Sequence, residues 1–314
     1  MKNRKPEKKF SKPETNQPKQ PPRPTRKPSP EAKPPARPKA VAAAPEEGAG
    51  ERIQKVLARG GVGSRREIER WIQEGRVMVN GAVTALGVRL QRGDTLQING
   101  RYVDWQKYDR QPTRVLLYHK PTGEVVTRRD PEGRPVVFTQ LPKLAAARWI
   151  AVGRLDINTS GLLLVTNNGE LANLLMHPKT QIEREYAVRI LGEVSEATIE
   201  KLKQGVELED GLAKFNEVRF YAGEGANKWY YVTVSEGRNR LVRRLWESQQ
   251  VVVSRLMRVR YGPVVLPERL KAHSFYELSD KELDILFEFA GLPRDNAAAQ
   301  PKAEARGGSR PRKK

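Results

Sequence analysis

Residues 151–169 read Ala-Val-Gly-Arg-Leu-Asp-Ile-Asn-Thr-Ser-Gly-Leu-Leu-Leu-Val-Thr-Asn-Asn-Gly, and no other stretch constrains the fold as much. Two short apolar segments, residues 149–152 and 162–165, flank a polar loop. Each is bounded by Gly, Asn or Ser, the pattern of buried strands. Between them stands one carboxylate, Asp156, with Arg154 two positions before it and Thr159 and Ser160 shortly after. An Asp in a strand connection is usually a turn former, because its side chain bonds nearby backbone amides. Spacing alone gives Asp156 no more than that.

The elements around this stretch are short and mixed. Residues 115–118 form a strand, and residues 130–142, rich in Pro and Gly, form a loop. Asn168-Gly169 leads into a helix carrying Leu171, Leu174 and Leu175, which His177-Pro178 stops. Tyr186, Val188 and Ile190 alternate with Glu185, Ala187 and Arg189 as on a half-buried strand. Ser195 caps a helix through Ile199 and Leu202 that ends at Gly205. Strands follow at 215–221, 229–235 and 256–260, with a helix at 240–250. Ser279 and Glu282 make a capping box for a last helix through Leu283, Leu286, Phe287 and Phe289. Strands and helices do not alternate regularly, so the expected class is α+β with a mixed, largely antiparallel sheet. No phosphate-binding glycine loop and no dinucleotide fingerprint occurs.

Upstream, residues 51–100 predict a smaller unit. Ile53, Val56 and Leu57 share one helix face, and Gly60, Gly61 and Gly63 break that helix. Ser64 with Glu67 opens a second, whose stripe is Ile68, Trp71 and Ile72. Gly75 ends it, Val77 and Val79 run into an Asn80-Gly81 hairpin turn, and a strand fits 95–98. Residues 101–112, polar with one Trp and two Tyr, read as a linker.

Charge bounds the partner. Residues 1–50 hold 13 Lys/Arg against 5 Glu together with 12 of the 23 prolines, and they offer almost nothing to bury. They are expected to be a disordered basic tail, as are residues 293–314 with 7 basic and 2 acidic residues. Taking these tails from the formal net charge of +21 leaves +8 on the folded part. A polyanion is the favoured partner. With no cysteine and only three scattered histidines, disulfides and thiolate metal sites are excluded and no metal is expected. No apolar run approaches a spanning helix and the basic start has no signal core, so no membrane is expected and the chain reads as soluble and cytoplasmic.

Gly-Arg-Leu-Asp-x-x-Thr-Ser-Gly-Leu-Leu-Leu-x-Thr-Asn-x-Gly at 153–169 resembles the catalytic motif of the RNA pseudouridine synthases, in the branch that modifies single uridines of ribosomal RNA. The resemblance makes Asp156 the catalytic residue. It makes Tyr186, in Arg-Glu-Tyr-Ala-Val at 184–188, the ring that stacks on the target base. Gly-Arg-Asn-Arg-Leu-Val-Arg-Arg at 237–244 is similar to a family segment whose first Arg after Val pairs with the Asp; that residue is Arg243. Leu241 departs from the Gln common at its position. Arg260-Tyr-Gly-Pro-Val-Val-Leu-Pro at 260–267 resembles a wall of the uracil pocket, and Lys-Pro-x-Gly at 120–123 a structural motif. Residues 51–81 resemble an S-four-type RNA-binding domain, through Arg52-Ile-x-Lys-Val-Leu-Ala, Gly-Ser-Arg-Arg-Glu and Gly-Arg-Val-x-Val-Asn-Gly. It would present Arg52, Lys55, Arg65, Arg66 and Arg70 to phosphates, with Arg154, Arg238, Arg240 and Arg244 adding backbone contacts near the site.

The implied layout is an RNA-binding domain with linker at 51–110 and a catalytic domain at 111–292. The implied partner is ribosomal RNA or a pre-ribosomal particle, 23S RNA first and another 23S or a 16S site as the alternative, met by a monomer. Isomerising uridine breaks a glycosidic nitrogen–carbon bond and rejoins the uracil through carbon, with no net redox change and no group donor. No cofactor is needed. Two routes are open to Asp156, covalent attack or abstraction of a ribose proton. A non-catalytic ribosomal RNA binder is the competing class, and a metal-dependent nuclease, which wants several clustered carboxylates, a weaker one.

Overall fold

The computed structural model describes residues 50–108, 111–225 and 227–294, which fall within one compact unit. The expectation of disordered tails falls outside the described residues, except at its edges. There Arg294 is held against the last helix, its guanidinium 2.6 Å from the Asp284 carboxylate, so the ordered chain runs past the expected end at 292.

The first layer of the chain is small. Strand β1 (Glu51–Arg52) leads into α1 (Ile53–Arg59) and α2 (Arg65–Gln73), followed by β2 (Val77–Val79), β3 (Ala82–Val83), β4 (Arg89–Leu90), β5 (Leu96–Ile98) and β6 (Arg101–Tyr102). β1 pairs with β4, and the other four order as β3-β2-β5-β6. The capping box of α2 is complete: Ser64 Oγ accepts from Glu67 N at 3.1 Å, and the Glu67 carboxylate accepts from Ser64 N at 3.2 Å. Asn80 and Gly81 both adopt left-handed φ, as a two-residue hairpin turn demands. The core joins Ile53, Leu57, Ile68, Ile72, Val77 and Leu96 to Trp105 and Tyr108. Those two aromatics lie in the stretch read as a linker, which corrects that reading. A fifty-residue core is too small to leave them in water, and the Trp105 indole N–H donates to Asp94 O at 2.9 Å.

The second layer holds β7 (Val115–Lys120), β8 (Ile150–Ala151), β9 (Ser160–Thr166), α3 (Gly169–Met176), β10 (Arg184–Leu191), α4 (Glu196–Gln204), β11 (Val206–Leu208) and β12 (Gly211–Ala213). It continues with β13 (Glu217–Glu224), β14 (Asn227–Val234), α5 (Leu241–Glu247), β15 (Val252–Tyr261), β16 (Val264–Val265), β17 (Phe275–Glu277) and α6 (Asp280–Phe289). One sheet runs β13-β14-β10-β15-β9-β7-β17, with β8 added on β9 and β16 on β15. Every pairing is antiparallel except β15 with β9. The class is therefore α+β with a mixed, largely antiparallel sheet.

Burial on both faces explains the run of apolar residues in β9. Leu162 and Leu164 pack with α3 and α6, whereas Leu163 and Val165 face a second cluster with Tyr118, Val137 and Trp149. A third cluster, around Val188, Val232, Phe215 and Trp246, lies under α4 and α5. The seam between β9 and β15 depends on one residue. A Cβ on Gly161 would lie 2.2 Å from Arg258 O and 2.7 Å from Arg258 N, and its φ of +102° is itself unfavourable for a side chain. Only glycine lets the strand leaving the Asp156 loop lie against β15.

Candidate active site

The loop from β8 to β9 is held by its backbone and offers its carboxylate. Lys120, fully buried at the end of β7, donates from Nζ to Pro121 O at 2.8 Å, Asp156 O at 3.1 Å and Thr159 O at 2.8 Å. Gly123 N donates to Ile157 O at 2.8 Å. From the other side, Arg243 of α5 donates to Asn158 O at 2.9 Å and to Val253 O at 2.8 Å. Leu155 is buried beneath. The Asp156 side chain, half-buried, neither accepts a hydrogen bond nor pairs with a cation within 4.0 Å among the described residues.

Two cations under the loop carry the strain of burial. Desolvation pulls the Lys120 ammonium down to about 8, against the pull of Glu124 and Asp156 in the other direction. Burial also lowers Arg243, with Arg240 adding repulsion and Asp156 opposing it. Arg243 therefore feels the Asp156 charge without touching it. The expected direct pairing is not made here: the two terminal nitrogens of the guanidinium donate to backbone carbonyls, and its Nε is buried without a partner.

A cleft of about 580 Å³ opens over Asp156, lined also by Tyr186, Arg154, Arg184 and Arg258. Tyr186, half-buried on β10, lies between Val232 of β14 and Arg258 of β15 in the ladder. Arg258 is 2% exposed, and its Nε donates to Leu162 O at 2.8 Å while its Nη2 is buried without a partner. Arg184 and Arg258 each lie over the Tyr261 ring, at 5.2 and 5.0 Å. Sequence reasoning missed Arg184 and Arg258. Arg184 opens the Arg-Glu-Tyr-Ala-Val segment at 184–188, and Arg258 is flanked by Met257 and Val259 within β15.

The remaining expected RNA contacts divide. Arg52, Arg65, Arg66 and Arg154 are exposed with no acidic partner among the described residues, whereas Lys55 pairs with Glu51 at 2.7 Å and Arg70 lies 3.8 Å from Glu74. Arg238 is engaged within the protein: it donates to Glu236 at 2.6 Å, to the carboxylate and carbonyl of Asp210, and to Gly211 O and Leu212 O, holding the β11–β12 hairpin. Arg244 also pairs with Asp210, whose carboxyl it holds down at about 2. Arg240, in left-handed conformation just before α5, pairs with Glu247 at 3.3 Å. That conformation starts α5 one residue later than expected, and the helix ends at Glu247 rather than Gln250. Among the described residues no three His, Asp or Glu side chains gather as a metal site, and no helix is long and apolar enough to cross a membrane.

Residues 114–248 match the profile of RNA pseudouridylate synthases, and residues 51–96 that of the S4 domain. Over 266 residues the chain is 54% identical to ribosomal large subunit pseudouridine synthase B of Pseudomonas aeruginosa, covering 83% of this chain and 69% of that one. The chain belongs to the RNA pseudouridylate synthase family. The like-named protein of Escherichia coli K12 is 54% identical over 250 residues, 79% of this chain and 86% of its own length. That of Haemophilus influenzae is 51% identical over 261 residues, 82% and 73%. A solved pseudouridylate synthase shares the fold, with a TM-score of 0.53 at 24% identity over 75% of this chain and 99% of the other. As a family member the chain is an isomerase acting on RNA, and its S4 domain precedes the synthase domain.

Proposed function

We propose that this chain converts uridine to pseudouridine in ribosomal RNA, the large-subunit 23S RNA first, with Asp156 as the reacting carboxylate. The observation that carries the reading is the free Asp156 side chain, on a loop anchored by Lys120 and Arg243, at the floor of a cleft it shares with Tyr186. The target uridine must leave its stack to reach that floor, at a cost of a few kcal/mol that a stacking ring partly offsets. Tyr186 is assigned that ring. Arg243 keeps the loop in place, and the nearby Asp156 carboxylate in turn favours the charged guanidinium against the cost of its burial. The reaction needs no cofactor, and we assign it to a cytoplasmic monomer in which residues 51–110 dock RNA and residues 111–292 act on it.

The test is release of tritium from ribosomal RNA labelled at carbon five of uracil, followed by mapping of the pseudouridines formed. Release with a single mapped position in 23S RNA is expected, unchanged in excess chelator. Tight RNA binding without release would make the chain a binder only. Shortened RNA that survives when chelator is added would make it a metal-dependent nuclease.

A further inference from the structure

Away from the cleft floor, three arginines from separate segments converge where the small layer meets the large one. Arg65 is the first residue of α2 and is exposed; its guanidinium lies 3.7 Å from where a Cβ on Gly169 would stand, at the start of α3. Arg148, half-buried just before β8, donates from Nη1 to Gly63 O at 3.1 Å, next to the α2 cap. Its Nε is buried and has no acceptor. Arg128 donates to Trp149 O and lies 4.7 Å over the Phe138 ring, which lines the cleft. Burial lowers Arg148 and Arg128, and Arg148 is lowered further by the charges of Arg128 and Arg65.

None of the three has a carboxylate partner among the described residues. The nearby acids are engaged elsewhere: Glu67 in the α2 capping box, Glu170 with Lys55 and Asp130 with Arg134. Two like charges bearing on Arg148, whose buried Nε–H is unsatisfied, are tolerated poorly without a counter-ion. The described residues supply none, in contrast to Asp210 beside Arg238 and Arg244.

We propose that Arg65, Arg128 and Arg148 together seat one phosphodiester group of the substrate RNA, between α2 of the S4 domain and the rim of the cleft. Guanidinium forks suit phosphate oxygens, and an anion there relieves the repulsion among the three. The seat acts as a ruler. A strand fixed at that phosphate brings a nucleotide at set spacing to Asp156, past Arg128 and Phe138. This rests on the reading of the chain as an enzyme that acts on RNA.

The test uses the full chain and the ribosomal RNA fragment in which it forms pseudouridine, with affinity measured over a range of salt. Arg65→Gln, Arg128→Gln and Arg148→Gln should each weaken binding about five- to tenfold and lower the slope of log affinity against log salt by about one. Because one phosphate is shared, the double variant Arg65→Gln/Arg148→Gln should lose no more than the stronger single one. Arg66→Gln, one position along α2, should instead add to Arg65→Gln. Should Arg148→Gln lower thermal stability, Arg65→Gln decides the matter, since the Arg65 side chain makes no hydrogen bond or ion pair among the described residues. Unchanged affinity and slope in Arg65→Gln, or simple addition in the Arg65/Arg148 double variant, overturns the seat while leaving the RNA reading intact. A wild-type chain that neither binds nor converts RNA overturns both.

Discussion

Two arginine-rich stretches look alike in the sequence and behave oppositely in the fold. In residues 63–70, α2 buries Ile68 and Ile72 and leaves Arg65 and Arg66 exposed, without acidic partners among the described residues. In residues 236–244, the arginines turn onto the protein: Arg238 and Arg244 hold Asp210, Arg240 meets Glu247, and Arg243 bridges two carbonyls. The cause is the neighbourhood of each helix. α2 lies at the surface of a small core, whereas α5 packs on β15 and beside the β11–β12 hairpin, whose carbonyls and Asp210 are ready acceptors. A cation becomes a fastener where the fold supplies an acceptor and remains available for phosphate where it does not. Substitutions in the two stretches should therefore separate stability and turnover from salt-dependent binding.

The largest effect sets the baseline for that separation. Asp156→Asn should abolish product while RNA affinity stays within about threefold, because the amide keeps the shape but is neither nucleophile nor base. Turnover above a few per cent of wild type would remove Asp156 from the chemistry. Next comes Arg243, the fastener closest to the reaction. Arg243→Met strands the Asn158 and Val253 carbonyls and should cost about 2–4 kcal/mol, read as a lowered denaturant midpoint. Arg243→Lys keeps the charge but cannot bridge both carbonyls, so single-turnover rate should still fall about tenfold or more. A lysine variant with full rate would show that charge alone suffices and would erase the distinction between the two stretches.

What the sequence made legible was local. The capping boxes at Ser64 and Ser279, the Asn80-Gly81 turn and the two-sided burial of 162–165 all follow from neighbours within a few positions. Asp156 and Tyr186 were legible through resemblance, and the cleft brings them together. What was not legible depends on distant acceptors. Nothing near Arg243 in the chain announces Asn158 O, and nothing near Arg238 announces the hairpin at Asp210. Trp105 and Tyr108 were hidden for the same reason, since a polar stretch gives no sign that two of its rings close a core begun fifty residues earlier.

A medium effect belongs to Arg238, which touches the hairpin far more than the cleft. Arg238→Ala removes its hydrogen bonds to Gly211 O and Leu212 O and should lower stability by about 1–2 kcal/mol, part of the gross loss being screened by solvent. The slope of RNA affinity against salt should not move. A shallower slope with an unchanged denaturant midpoint would return Arg238 to the RNA-facing group.

The smallest effect tests the outward-facing side. Arg66 is exposed on α2, one position from the proposed seat, and its side chain makes no hydrogen bond or ion pair among the described residues. Arg66→Gln keeps a long polar side chain of good helix propensity, so the thermal midpoint should stay within about a degree. What changes is one positive charge close to the RNA backbone. Affinity should fall only about two- to threefold near physiological salt, because a mobile surface cation gives up rotamer freedom when it engages a phosphate. The salt slope should fall by less than one, since such a contact is made part of the time and releases its counterion only in proportion. Saturating turnover should be unaltered, as the Asp156 loop is fastened from β7 and α5 and not from α2. If Arg66→Gln instead lowers turnover at saturating RNA with binding intact, the cations of α2 also serve the reaction, and the division between fasteners and phosphate contacts fails on its weakest member.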